Sequence, residues 1–113
     1  MKRIIALIRP VMRDDVIFAL HQVENFPGAA LSDMQGIRRG LHQQAREHRE
    51  TPGGSFVSLV RFEIVCSDDL APLLVETIRA NAFTGKPGDG KIFVSDVQAA
   101  LRISNGQLDE DAL

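Results

Sequence analysis

The sequence has few of the features that mark secreted, membrane or nucleic-acid-binding proteins. A single cysteine, Cys66, precludes a disulfide within the chain and fits a reducing cytoplasm. The formal net charge of −2 and the pI near 5.9 argue against a generic nucleic-acid binder. The apolar run from Ile4 to Ile8 stops at Arg9 and is too short for a signal peptide or a membrane span. We therefore expect a cytoplasmic protein that is not integral to a membrane and does not bind nucleic acid.

What is present indicates one globular domain. The 113 residues are 44% hydrophobic and 25% charged, which is ordinary for a folded domain with its own core. Lys2 to Arg9 is apolar on both sides of its alternation and is typical of a buried central strand. The spacing of apolar residues predicts a helix over about 14–24, strands over 29–37 and from Phe56 to Cys66, a helix to about Ala82, and a strand over 91–97. Ser67-Asp68-Asp69 is typical of a helix N-cap.

The order strand–helix–strand occurs twice and predicts the fold. Asp14-Asp15 and Asp68-Asp69 lie at the starts of the two predicted helices and form a weak internal repeat. This organisation predicts an α+β, ferredoxin-like βαββαβ sandwich with a long loop between strands 2 and 3. Helices on one face leave the other sheet face uncovered, and its apolar residues favour self-association. At the end of the chain we expect a short strand over 100–103 and a loose acidic tail over 109–111.

The segment from Arg38 to Gly54 has almost no apolar residues. It carries four arginines and two histidines, and it ends in Pro52-Gly53-Gly54. Loops of this length are uncommon inside compact domains and are usually functional or disordered. We therefore predict a mobile, solvent-exposed arm.

A glycine-rich segment, Thr84-Gly85-Lys86-Pro87-Gly88-Asp89-Gly90-Lys91, joins the second helix to the last strand. Its glycines permit positive φ, so its N–H groups can converge on an anion. Gly85 to Lys91 fits the phosphate-loop pattern, but Ile92 replaces the Ser/Thr and the segment follows a helix rather than a strand. The pattern alone leaves two interpretations open, a phosphate-binding loop and a simple turn.

At these residues the chain resembles the PII signal-transduction family, the trimeric regulators of nitrogen and related metabolism. The resemblance runs nearly end to end and is strongest in MKRIIALIRP, in Arg61 to Val65 with Ser67-Asp68-Asp69, and in TGKPGDGKIFVSDV. It identifies 84–91 as a B-loop, 38–55 as a T-loop-like arm, and 101–113 as the C-terminal segment with the C-loop. It implies a homotrimer that binds ATP or ADP in clefts between subunits and contacts an unidentified target protein through the T-loop. Whether a magnesium ion accompanies the nucleotide is left undecided. It implies a regulator and not an enzyme.

The resemblance also implies the site residues. The nucleotide-binding positions are Ile8, Gly36, Glu63, Val65, Gly88, Asp89, Gly90, Lys91 and Arg102. The partner-binding loop would present Arg38, Arg39, His42, Arg46 and Arg49.

Several residues depart from the family pattern. Ser104 stands where a second phosphate-binding arginine is usual, and Leu59 replaces a lysine at the base of the T-loop. The chain has no tyrosine, so the common uridylylation site is missing. These departures indicate a divergent member with altered nucleotide binding.

The alternative is a trimeric, CutA-like protein that binds divalent metal through the histidines of the arm. His42 and His48 are six residues apart, which matches no known metal pattern, so solvated histidines are favoured and no metal site is assigned. We expect Cys66 to be a small buried hydrophobe. The sequence shows no Ser-His-Asp or paired-carboxylate arrangement that would indicate an enzyme.

Overall fold

The computed structural model describes residues 1–37 and 56–113. In chain order these residues form β1 (Lys2–Ile8), α1 (Arg13–His21), β2 (Ala30–Ile37), β3 (Phe56–Cys66), α2 (Ala71–Ala82) and β4 (Gly90–Asp96). Two short 3-10 helices occupy Pro10–Met12 and Asp109–Ala112. The predicted βαββαβ order is confirmed, and the bounds of β1, β2 and β4 each lie within one residue of the prediction. No helix in the described ranges is long and apolar enough to cross a membrane.

The four strands form one antiparallel sheet in the order β2-β3-β1-β4. β1 is a central strand, as predicted. Ile4 pairs with Ile64 of β3 on one side and with Val94 of β4 on the other. The arrangement is the predicted α+β ferredoxin-like sandwich.

The core lies between one face of the sheet and the two helices. Buried side chains alternate along β1 and β3 and recur at helical spacing in α1 and α2. Cys66 is among them, as expected, and burial raises the pKa of its thiol. The buried hydrophobic residues are Ile4, Ala6, Ile8, Val16, Leu20, Val60, Phe62, Ile64, Cys66, Ala71, Leu74, Ile78 and Ala82.

The opposite sheet face carries the alternate residues of the same strands. We call this surface the open face; it includes Arg3, Ile5, Leu7, Leu59, Arg61, Glu63, Val65 and Phe93. The residues of β1 and β3 on it are only partly buried, and Phe93 is 53% exposed. The predicted uncovered apolar face is therefore present in the single chain.

The predicted end of the first helix at Glu24 is wrong, because α1 ends at His21. Gln22 N–H donates to Ala19 O and Val23 N–H donates to Leu20 O, both at 3.1 Å. These i→i−3 bonds tighten the chain into 3-10-like turns and so end the α-helix.

The predicted N-cap at Ser67-Asp68-Asp69 is also wrong. No side chain caps α2; instead the N–H groups of Leu70 and Ala71 donate to Ser67 O. The carboxylate of Asp68 lies 2.9 Å from the amino group of Met1, which lowers the pKa of Asp68. Asp68 thus ties the start of β1 to the turn before α2.

The C-terminal segment differs from both expectations. The predicted strand over 100–103 is reduced to one isolated bridge between Leu101 and Leu108. The predicted loose tail is ordered, because Asp109 N–H donates to Ala100 O at 2.7 Å and Asp109 begins a 3-10 helix. Residues 100–109 therefore form a turn whose two ends bond to each other and not to the four-stranded sheet.

Candidate functional site

The glycine loop, residues 84–91, is shaped by positive backbone dihedral angles. Gly85, Gly88 and Gly90 have φ of +84°, +93° and +110°, a region that other residues rarely adopt. Gly90 is also required by contact, because a Cβ there would lie 1.8 Å from the carbonyl oxygen of Leu7. The loop therefore passes against the backbone of β1 where only glycine fits.

The side chain of Asp89 organises this loop from within. Its Oδ2 accepts hydrogen bonds from the N–H groups of Thr84 at 2.9 Å and Gly85 at 3.1 Å. Its Oδ1 accepts from Arg9 Nε at 3.0 Å and from the Thr84 hydroxyl. The bonds from Thr84, with those from Arg9 and Gly85, hold the pKa of Asp89 far below its usual range. Asp89 is thus a fixed carboxylate whose oxygens bind the loop itself.

Sequence reasoning missed Arg9 and the role of Thr84. Arg9 follows β1 directly, and its guanidinium reaches Asp89 and also donates from Nη2 to Pro87 O. The signal that could have found it is the pairing of β1 with β4, which places the end of β1 at Ile8 opposite Gly90. A cation one residue beyond that pair is within reach of the loop.

A cavity of about 380 Å³ lies beside the glycine loop, between β1, α2 and β4. Its walls are mostly apolar, with the loop at one end. Four of the predicted nucleotide-binding residues meet there: Ile8, Asp89, Gly90 and Lys91. The remaining lining residues are Leu7, Val75, Ile78, Arg79, Ala82, Phe83 and Ile92. An apolar cleft with a few polar groups at one end is the common form of a small-molecule site.

Glu63 and Val65, also predicted for the nucleotide, lie on the open face in β3. Both oxygens of Glu63 are engaged: Arg3 Nε donates to Oε1 at 2.6 Å and Arg61 Nη1 donates to Oε2 at 2.9 Å. These two arginines lower the pKa of Glu63. The three charges form an ion-pair cluster among the apolar residues of the open face.

Gly36 lies near the end of β2 and pairs with Val57. A Cβ at Gly36 would lie 3.0 Å from Leu59 Cδ1, so the absence of a side chain lets Leu59 pack over the strand. Arg102 lies in the C-terminal segment, where Nη2 donates to Leu113 O at 2.8 Å and Nε donates to Ala112 O at 3.3 Å. Within this single chain, neither residue is among those that line the cavity.

The predicted partner-binding residues Arg38, Arg39, His42, Arg46 and Arg49 lie outside the described residues, as does the whole arm over 38–55. Within 1–37 and 56–113, no group of three or more His, Cys, Asp or Glu side chains could hold a metal ion. The glycine loop offers no free carboxylate to a metal ion. The carboxylate of Asp89 already accepts hydrogen bonds from Arg9, Thr84 and Gly85, and glycines with positive φ can form an anion-binding turn.

Three comparisons identify the family. The family model described as "Nitrogen regulatory protein P-II" matches residues 1–107. The chain is 39% identical over 118 residues to nitrogen regulatory protein P-II of Klebsiella oxytoca and to nitrogen regulatory protein P-II 1 of Escherichia coli K12, and 37% identical to nitrogen regulatory protein P-II of Bradyrhizobium diazoefficiens, with 100% of each chain covered. Among solved structures, the Arabidopsis thaliana PII bound to citrate superimposes with a TM-score of 0.79 at 30% identity, covering 99% of this chain and 91% of that one. On sequence and on structure alike, this chain belongs to the nitrogen regulatory protein P-II family.

Proposed function

We propose that this PII signal-transduction regulator binds ATP or ADP beside the glycine loop and acts on a target protein through the arm over 38–55. The observation that carries the proposal is the loop itself. Asp89 holds it in shape, and it closes one end of a cavity that also contains Ile8 and Lys91. A PII protein of Arabidopsis is bound to citrate, so at least one relative binds a small anion.

The chemistry of the loop suits phosphate groups. Gly88 and Gly90 have positive φ, a geometry that can turn successive N–H groups toward one anion. Lys91 is among the residues that line the cavity, and we propose that its ammonium group adds positive charge for the phosphates. We assign Gly88, Gly90 and Lys91 to direct phosphate contact and give Asp89 the role of holding the loop.

The apolar part of the cavity suits the base. Ile8 lies in its wall, and α2 supplies further apolar surface. We place Gly36, Glu63 and Val65 near the ribose and adenine on the family resemblance alone. Because Glu63 already accepts from Arg3 and Arg61, we expect it to act mainly as part of that ion-pair cluster.

A homotrimer would complete the site. The open face presents partly buried apolar residues that a second copy would cover. The C-terminal segment carries three exposed hydrophobic residues, Leu101, Ile103 and Leu108, with Ile103 96% exposed. We infer that this segment packs on a neighbouring copy and brings Arg102 to that copy's glycine loop. A cation there would strengthen phosphate binding, since charge-assisted hydrogen bonds are stronger than neutral ones.

The target is a protein partner, in keeping with the family's role as regulators rather than enzymes. We propose that the arm presents Arg38, Arg39, His42, Arg46 and Arg49 to a transporter, an enzyme or another regulator, in nitrogen metabolism or a related process. A cytoplasmic location fits the single, buried, free thiol of Cys66. The CutA-like metal-binding alternative is not supported, because the P-II family accounts for nearly the whole chain.

Calorimetric titration of ADP and ATP into the wild type, Lys91→Ala and Lys86→Ala tests nucleotide binding. Lys86 lies in the same loop but does not line the cavity. Lys86→Ala therefore controls for the loss of one positive charge from the loop. A lost charge-assisted hydrogen bond is worth about 1.5–3 kcal/mol, so Lys91→Ala should weaken binding roughly ten- to a hundredfold. Lys86→Ala should bind like the wild type. Equal weakening by both variants would contradict the assignment of Lys91.

Sedimentation equilibrium tests the assembly. The wild type should sediment with the mass of three chains of 12.4 kDa at micromolar concentration. Arg102→Ala should stay assembled and lose nucleotide affinity. A stable monomer would contradict the trimer and the contribution of Arg102 from a neighbouring copy.

A further inference from the structure

We propose that Arg9 is a positioning residue for the glycine loop, which raises the affinity for polyphosphate ligands by holding and neutralising Asp89. This inference rests on the proposed nucleotide site. Arg9 is not among the residues that the family resemblance assigned to the site.

Arg9 donates hydrogen bonds to two residues of the loop, Pro87 and Asp89, on either side of Gly88. Its Nε donates to Asp89 Oδ1 at 3.0 Å, and its Nη2 donates to Pro87 O. Between them lies Gly88, and a Cβ built on it would be 3.3 Å from Arg9 Nη2. The guanidinium therefore lies beside Gly88 and connects the loop to the end of β1.

The shielding of this ion pair makes its contribution larger than that of a surface pair. The side chains of Arg9 and Asp89 are 31% and 24% exposed, whereas those of Arg13 and Asp14 are 50% and 87% exposed. Exposed pairs are screened by water and salt and contribute little. Arg13 is thus a matched control, with the same residue type paired to an aspartate in open solvent.

Charge explains why the pair matters to a phosphate ligand. Asp89 places a carboxylate within the loop that is to hold phosphates, and two like charges at short distance repel each other. The other groups that bond to Asp89 are the N–H groups of Thr84 and Gly85 and the Thr84 hydroxyl, which carry no net charge. In the described part of the chain, Arg9 is the cation that bonds to this carboxylate. Its loss should therefore weaken binding more as the ligand carries more phosphate charge.

Titrations of AMP, ADP and ATP into the wild type, Arg9→Met, Arg9→Lys and Arg13→Met test the inference. Arg9→Met should weaken ATP binding roughly tenfold and AMP binding clearly less. Arg9→Lys keeps the charge and should recover most of the ATP affinity, although it loses the planar donor pair. Arg13→Met should match the wild type.

The outcomes separate this inference from the proposed function. Wild-type ATP affinity in Arg9→Met would overturn the inference and leave the nucleotide site standing. An equal loss for all three nucleotides without recovery by lysine would also overturn it, because that pattern indicates a general structural defect. A wild type that binds none of the nucleotides would overturn both the proposed function and the effect of Arg9 on affinity.

Amide hydrogen exchange in the ligand-free protein tests the ordering of the loop independently of any nucleotide. The amides of Thr84 and Gly85 donate to Asp89 and should exchange faster in Arg9→Met than in the wild type or Arg13→Met. Unchanged exchange in Arg9→Met would overturn the ordering role.

Discussion

Gly90 lies directly opposite Ile8 in the pairing of β4 with β1. The end of the glycine loop is therefore already part of β4, and Gly90 is held against the backbone of β1. Ile8 is buried in the core, and Gly90 belongs to the glycine loop and also begins β4. A change at Gly90 should consequently affect the fold as well as the site.

Gly90→Ala should destabilise the protein far more than Gly28→Ala. Both glycines have positive φ, +110° and +98°, so each alanine carries a backbone cost of about 1–2 kcal/mol. Only at Gly90 does the new Cβ clash, at 1.8 Å from Leu7 O, whereas nothing lies within 4 Å at Gly28. We expect urea unfolding to show at least about 2 kcal/mol more destabilisation for Gly90→Ala. Equal unfolding midpoints for the two variants would contradict the close approach of loop and strand.

Glu63→Gln should lower stability at neutral pH, because it leaves Arg3 and Arg61 without a carboxylate on the open face. The expected loss is about 1–2 kcal/mol. Glu76→Gln is the control, since Glu76 forms only an exposed pair with Arg79 at 3.4 Å and should change little.

The same variant has a predicted pH dependence. The pKa of Glu63 is lower in the folded protein than its usual value near 4.5, so its stabilising effect is present above that value. The effect is lost as the pH falls through the folded-state pKa. Chemical unfolding at fixed protein concentration should therefore show the wild type and Glu63→Gln converging in acid. A constant difference down to the lowest pH would contradict the ion-pair cluster.

Cys66 should react slowly with thiol reagents in the folded protein. Its side chain is buried in the core, and burial raises the pKa of the thiol, so little thiolate is available at pH 8. Alkylation followed by mass spectrometry should give slow modification of the native protein and complete modification in concentrated guanidinium chloride. Equally fast modification in both conditions would contradict the burial of Cys66.

Local patterns in the sequence were sufficient for most of the fold. The alternation from Phe56 to Cys66 predicted β3 with its observed bounds, and from Val60 onward each second residue is buried in the core. Pro72 lies in the first turn of α2, where its missing N–H loses no partner. For the glycine loop the pattern left a phosphate-binding loop and a simple turn open, and the family resemblance favoured the first of these.

Local sequence patterns could not predict side-chain contacts between distant parts of the chain. The ion pair of Arg9 with Asp89 joins residues 80 positions apart and depends on the register of β1 with β4. The hydrogen bond from Arg3 to Glu63 likewise depends on the pairing of β1 with β3. Asp68 was misassigned as part of an N-cap because its actual partner, the amino group of Met1, is distant in sequence. Side-chain partners of this kind follow only from the assembled sheet.

The measurement that tests the nucleotide site most directly is a heteronuclear NMR titration of protein labelled with ¹⁵N at glycine. The chain has nine glycines, so the spectrum is simple, and Gly88→Ala assigns one loop signal. ATP should shift the amide signals of Gly88 and Gly90 in a saturable manner and leave Gly28, which is not part of the glycine loop, unchanged. Loop signals that stay fixed at saturating ATP, ADP and AMP would contradict the account.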